Sequence, residues 1–273
     1  MLKRLFNFVC PSTCLVCRLE TNAHNLCDHC LEELSNRESN IHEASVPCRI
    51  CSEESLSNLG DGGLCAACAL FPPPYDSLIS AWVYEGIPEK LIKAFKYQGR
   101  QTIAEYFAET LLEIITEHHR SSGKADHSWA DLVLALPSSL ERMRKRKFSH
   151  THLIARCLAR SLNVPLCHQG LEFLGKTQAQ ASMPMKERAA NPKNHFHAID
   201  NKVAGRRLIL VDDVATSGAS IYWASKALEL AGAKEIAVVT LARSRSFSKN
   251  QLACRRRLAR EETTETTKRQ ATQ

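Results

Sequence analysis

Residues 208–220, Leu-Ile-Leu-Val-Asp-Asp-Val-Ala-Thr-Ser-Gly-Ala-Ser, leave few folds open to this chain. Four consecutive apolar residues, 208–211, predict a strand buried on both faces, as in a parallel sheet covered by helices. Asp212 and Asp213 are expected at its C-terminal end, and a helix is expected over 220–231. Open parallel sheets bind ligands beyond the carboxyl ends of their strands. Gly218 lets the backbone come close to a phosphate, and successive amides around it form an anion-binding concavity. The positive end of the following helix points at the same place. Val214, Ala215, Thr216, Ser217, Gly218, Ala219 and Ser220 are therefore candidate phosphate ligands. Asp212 and Asp213 suit ribose hydroxyls or the waters around a magnesium ion. The plainer alternative is a strand–helix junction whose aspartates cap the helix.

The flanking pattern supports an α/β fold with a parallel sheet. Strands are predicted over 77–84, 132–136 and 235–241, and helices over 89–96, 102–118 and 152–162. The helix over 102–118 carries Ile103, Phe107, Leu111 and Ile114 on one face. Strands and helices that alternate at this spacing form parallel units. Pro72, Pro73 and Pro74 make a stiff break before them. The expected units are a cysteine-rich module over 1–71, an α/β domain over 75–245 and a tail over 246–273. The tail is polar, basic around 255–257, and too poor in apolar residues to order itself; a short helix over 251–260 is allowed.

Nine of the twelve cysteines fall within residues 1–71. Cys14/Cys17, Cys27/Cys30, Cys48/Cys51 and Cys65/Cys68 are each two residues apart, so one tight turn can present both thiolates to a tetrahedral ion. Eight ligands suit two structural zinc ions with no open coordination position. The spacing leaves open whether the pairs combine in sequence or interleave. Cys10 is an alternative ligand, His24 and His29 are expected to be bystanders to four complete cysteine pairs, and Cys157 and Cys167 are expected to be small apolar residues. The patch Leu5, Phe6, Phe8 and Val9 is too short for a signal-peptide core, and no apolar run reaches membrane-spanning length. A cytoplasmic protein without membrane insertion is expected. The formal charge of +7 is compatible with phosphates or nucleic acid but decides little.

The string 208–220 closely resembles the phosphoribosyl-pyrophosphate (PRPP) motif of type I phosphoribosyltransferases, and its surroundings resemble the ComF/GntX family. Residues 91–100, Leu-Ile-Lys-Ala-Phe-Lys-Tyr-Gln-Gly-Arg, carry that resemblance. So do 134–137 with the basic stretch 142–148, then Thr177, Gln180, Arg188, Asn191 and Phe196, and finally 239–243. The sequence departs from the family where Lys147 replaces a glycine and where Ser149 and His150 replace Asn-Gln. The resemblance implies a type I phosphoribosyltransferase fold behind a double zinc ribbon, with PRPP and magnesium as ligands. Asp212 and Asp213 would hold the ribose, and residues 215–220 the 5′-phosphate. Pro137, Ser138, Arg142, Arg144 and Arg146 would face the pyrophosphate, and Arg188 would lie in a closing loop. It further implies a role in natural transformation, on single-stranded DNA and beside competence helicase or translocation proteins. The alternatives are an active PRPP-dependent transferase of nucleotide metabolism, or a non-catalytic zinc adaptor or ligand sensor.

Overall fold

The computed structural model describes residues 13–21, 26–34, 46–52, 54–55, 63–98, 101–121, 130–138, 149–174, 196–245, 247, 253 and 255–257. The cysteine-rich part holds helix α1 (28–34), a ribbon of β1 (Val46–Pro47) with β2 (Glu54–Ser55), and α2 (Ala66–Leu70). Strand β3 (Ser77–Val83) leads through α3 (Gly86–Gln98) and α4 (Gln101–Ser121) to β4 (Leu132–Ala135). Helix α5 (His150–Leu162) precedes a small antiparallel pair, β5 (Leu171–Phe173) with β6 (Phe196–Ala198). Then follow α6 (Asp200–Val203), β7 (Arg207–Ala215), α7 (Ala219–Leu230) and β8 (Glu235–Arg243).

The main sheet has the order β3-β8-β7-β4, and each of its pairings is parallel. The expected α/β architecture is thus present. The pairs β1–β2 and β5–β6 have no counterpart in the periodicity, because two- and three-residue strands are too short to show one.

Both faces of the sheet are covered, which is why residues 208–211 are apolar without alternation. On one face Ile79, Val133, Ile209, Val211 and Val239 pack against α3, α4 and α5. Helix α4 contributes Ile103, Phe107, Leu111 and Ile115, each fully buried, while Ile114 is only half-buried. Phe107 meets Phe95 and Trp82 edge-on, with centroids 5.3 and 6.0 Å apart. On the other face Leu78, Leu134, Leu208, Leu210 and Val238 pack against α7 and β6. Local signals set the ends of α5. The Ser149 hydroxyl accepts from the His152 amide, and Asn163 takes the left-handed conformation that closes the helix.

Two aspartates pin the N-terminal edge of the sheet. Asp131 accepts from the Arg207 backbone amide (2.8 Å) and from its guanidinium (2.9 Å), which sets the β4–β7 register. Asp76 accepts from the Ile236 amide at 2.8 Å and does the same for β3–β8. The outer edge of β3 is covered by the second cysteine segment. Leu78 N–H donates to the Ile50 carbonyl, and the Ser52 hydroxyl donates to the Leu78 carbonyl. An unprotected parallel edge would invite pairing with another chain.

The tail departs from expectation at two positions. Phe247 is fully buried in the α7-side core, and Arg255 is 2% exposed. Residues 253 and 255–257 are helical, as 251–260 allowed, and the rest of that tail lies outside the described residues.

Replacing Asp76 removes a charged acceptor from a main-chain donor at the start of β8. Asp76→Ala should cost about 1–2 kcal/mol in urea unfolding at neutral pH. An unchanged midpoint would show that water replaces the carboxylate without loss.

Candidate functional site

Strand β7 does not end at Val211. It continues to Ala215, so Asp212 and Asp213 lie inside the strand and not beyond it. Asp212 stands opposite Thr240, and Val214 opposite Ala242. The extension has a simple cause, since main-chain pairing with β8 is indifferent to the polarity of the side chains. On its other side, among the described residues, β7 has no strand partner beyond this point. The register with β4 ends at Ala135 opposite Val211, followed by one bond from Leu136 N–H to the Val211 carbonyl. The last four residues of β7 therefore run on past the end of β4 at the carboxyl rim of the sheet. Pro137 and Ser138, both half-buried, follow directly on β4 there.

Neighbouring residues of a strand point to opposite faces, and this separates the two acids. Asp213 turns to the face of Ile209 and Val211 and is 8% exposed. Its carboxylate pairs with Lys96 Nζ at 2.8 Å and with His150 Nε2. Lys96 is in the last turn of α3, and His150 is the first residue of α5. Burial pushes the Asp213 carboxyl up, but the hydrogen bond from His150 and the charge of Lys96 outweigh it and hold it at about 2. Asp212 faces the other way and is half-exposed, and its Oδ1 accepts from the Asp213 amide at 2.8 Å. The acids expected to act side by side thus occupy different environments.

Beyond them the loop is built as the sequence suggested. Gly218 has φ of +73°, a conformation that favours glycine, and its carbonyl accepts from Tyr222 at the start of α7. The first turn of α7 contains no acidic residue. Ser217 Oγ accepts from the Ala219 amide, while Thr216 and Ser220 are exposed. Ser244 ties the loop to the end of β8, its amide donating to Ala215 and its hydroxyl to the Thr216 carbonyl. Arg142, Arg144, Arg146 and Arg188 lie outside the described residues. The ends of the stretch holding the first three are anchored at this rim, because the Thr151 hydroxyl donates to the Leu136 carbonyl at 3.0 Å.

In the sequence Lys96 stood out only as part of the stretch 91–100, and His150 only as a departure from a family pattern. Both are partners of Asp213. The available signal was positional, since each sits where a helix end meets the carboxyl rim of a parallel sheet.

The eight paired cysteines form two tetrads in sequence order. One is Cys14, Cys17, Cys27 and Cys30, the other Cys48, Cys51, Cys65 and Cys68, each with sulfurs within 4.8 Å of one another. The sulfurs of Cys17 and Cys27, and of Cys51 and Cys65, are 3.6 Å apart. A tetrahedral zinc with Zn–S bonds of about 2.3 Å separates its sulfurs by about 3.8 Å, so each tetrad fits the ion. A disulfide would need about 2.05 Å. The sulfurs also polarise one another. A hydrogen bond from Cys51 pulls the Cys48 thiol well below its usual range, and the same contact pushes Cys51 up. At Cys14 burial opposes ionisation, but backbone N–H groups of Cys17 and Cys27 outweigh it and bring the thiol to about 6. His29 is in neither tetrad, and Cys10 and His24 lie outside the described residues. Cys157 is buried as expected, and Cys167 is half-buried.

The phosphoribosyl transferase domain family matches residues 153–270, a span that includes β7, the loop and α7. DNA utilization protein YhgH of Salmonella typhimurium is 26% identical over 236 residues, covering 86% of this chain and 98% of that protein. Competence protein F of Haemophilus influenzae is 27% identical over 244 residues, covering 88% and 98%. These similarities support a relation to the ComF family. Competence protein ComFC of Bacillus subtilis is 26% identical over 170 residues, covering 60% of this chain and 63% of that protein. This chain joins a region matched by the phosphoribosyl transferase domain family to two cysteine tetrads that can bind zinc. Among its described residues no helix is long and apolar enough to cross a membrane.

Asp213→Asn would leave Lys96 with an uncompensated charge in a nearly closed site and should cost about 3 kcal/mol. The folded carboxyl titrates lower than the unfolded one, so its contribution is complete above about pH 4 and fades as the pH falls toward about 2. Urea unfolding of both proteins across that window should show their stabilities converging. A constant gap would mean that the ion pair is not what Asp213 contributes.

Proposed function

We propose that the carboxyl rim at β7–α7 binds PRPP or a closely related sugar phosphate with magnesium, and that the protein acts on single-stranded DNA during DNA uptake. The observation that carries the ligand reading is the Gly218 turn. It opens a twelve-residue helix whose first turn bears no carboxylate, beside the half-exposed Asp212. A helix start of that kind attracts phosphate through its amides and dipole.

In this reading the amides and hydroxyls of residues 215–220 hold the 5′-phosphate. Asp212 takes the vicinal ribose hydroxyls or the waters of magnesium. Asp213, engaged by Lys96 and His150, sets the strand end from which Asp212 projects. Pro137 and Ser138 border the pyrophosphate side, with Arg142, Arg144 and Arg146 supplying positive charge and Arg188 closing over it. Transfer chemistry of this kind needs no protein nucleophile, because positioning and charge neutralisation carry the catalysis.

The DNA reading rests on relatives named for DNA utilization and competence. The net charge of +7 and the basic stretch 142–147, which lies in sequence between the rim residues Leu136 and Thr151, are consistent with it. Such binding is chiefly electrostatic. Action beside competence helicase or translocation proteins, in the cytoplasm, completes the proposal.

Calorimetry of PRPP with magnesium tests the ligand reading. The wild type should bind, and Asp212→Asn should weaken binding about 10-fold or more by removing a charge-assisted acceptor. A wild type that takes up no heat with PRPP would end this reading.

Fluorescence anisotropy with single-stranded DNA tests the second part separately. Binding should fall with salt, and alanine at Arg142, Arg144 and Arg146 together should reduce the log–log salt slope by about 2. Asp212→Asn should leave DNA affinity unchanged. Salt-independent binding would contradict an electrostatic DNA surface.

A further inference from the structure

Arg255 lies far along the chain from the cysteine segments and is nonetheless buried against one of them. One guanidinium nitrogen, Nη1, donates to Cys68 Sγ at 3.4 Å and to the Phe71 carbonyl at 3.0 Å. The other, Nη2, donates to the Tyr75 hydroxyl at 2.7 Å, and the guanidinium lies 5.7 Å from the Tyr75 ring centroid. At 2% exposure this charge has lost its water. Among the described residues its partners are a sulfur, a carbonyl and a phenol, and none is a carboxylate.

A guanidinium buried in this way needs a negative charge nearby. The candidate is the tetrad to which Cys68 belongs. With zinc bound, four thiolate charges outnumber the two on the ion, so the centre is net negative and its sulfurs accept hydrogen bonds. Phe247, eight residues earlier in the chain, is fully buried in the same core as Cys48, Cys51, Cys65, Cys68 and Tyr75.

We propose that Arg255 is the charge partner of the second metal–thiolate centre, so that docking of the C-terminal segment and metal retention at that tetrad are coupled. Filling the tetrad stabilises the docked segment, and by reciprocity the docked segment stabilises the bound ion. Groups that hydrogen-bond to metal ligands typically change metal affinity 10- to 100-fold. The first tetrad serves as an internal control, because the Arg255 contact is made to Cys68 alone among the ligands.

The inference rests on zinc occupying the tetrads, so metal analysis of the full chain comes first. Two ions per chain are expected, and a wild type holding none at the second tetrad would overturn both readings. On the loaded protein, zinc release to a chromogenic chelator should show two steps. Arg255→Met should speed only one of them, about 10-fold or more, and Arg255→Lys should fall between the two, because it keeps the charge and loses the fork. Release steps equal to the wild type in Arg255→Met would overturn the proposal. A second measurement needs no variant. During chelator titration of the wild type, hydrogen exchange in peptides over 247–257 should rise before exchange in Gln101–Ser121. A C-terminal segment that keeps its protection until α4 also opens would equally overturn it.

Discussion

A carboxylate buried in the end of a central strand must be compensated, and the arrangement at Asp213 organises the rim around that requirement. Lys96 comes from the end of α3 and His150 from the start of α5, so one acid fixes two helix ends against β7. Because the next residue along a strand faces the other way, satisfying Asp213 on the helix side leaves Asp212 projecting on the opposite face. The loop that follows inherits its position from the same strand and is held by Ser244 to the end of β8. Two like acids in sequence thereby acquire different physical roles.

The cysteine tetrads are built into the fold rather than suspended from it. Cys14 and Cys30 belong to the buried cluster beneath α3, α4 and α5, whereas Cys48, Cys51, Cys65 and Cys68 belong to the cluster on the α7 side. Each segment is too short to form a core of its own, and a four-thiolate metal centre supplies the cross-links that such segments lack. The second segment also satisfies the outer edge of β3 through Ile50 and Ser52. The same segment receives Arg255 and shares a core with Phe247, so residues distant along the chain meet on the α7 face of the sheet.

Much of this was legible in the residues. The apolar run 208–211 and the helical face of Ile103, Phe107 and Leu111 implied a doubly covered parallel sheet, because continuous and 3.6-residue apolar patterns have few other uses. The paired cysteines implied tetrahedral metal sites, since two intervening residues suit one tight turn. Spacing could not tell consecutive from interleaved pairing, which depends on the path of the chain between the pairs. Nor could it give the length of β7, because the added residues are held by main-chain bonds to β8 that leave no mark in the side chains.

By itself, then, the sequence determined the four strands of the main sheet and the helices that cover it, where the glycine turn falls and which cysteines can act as ligands. All of these follow from contacts within a few residues along the chain. The tertiary structure alone decided which acid is buried, which cysteines share a centre and that Arg255 reaches Cys68. Those outcomes depend on groups brought together from distant positions, where desolvation leaves each charge only the partners that the fold provides.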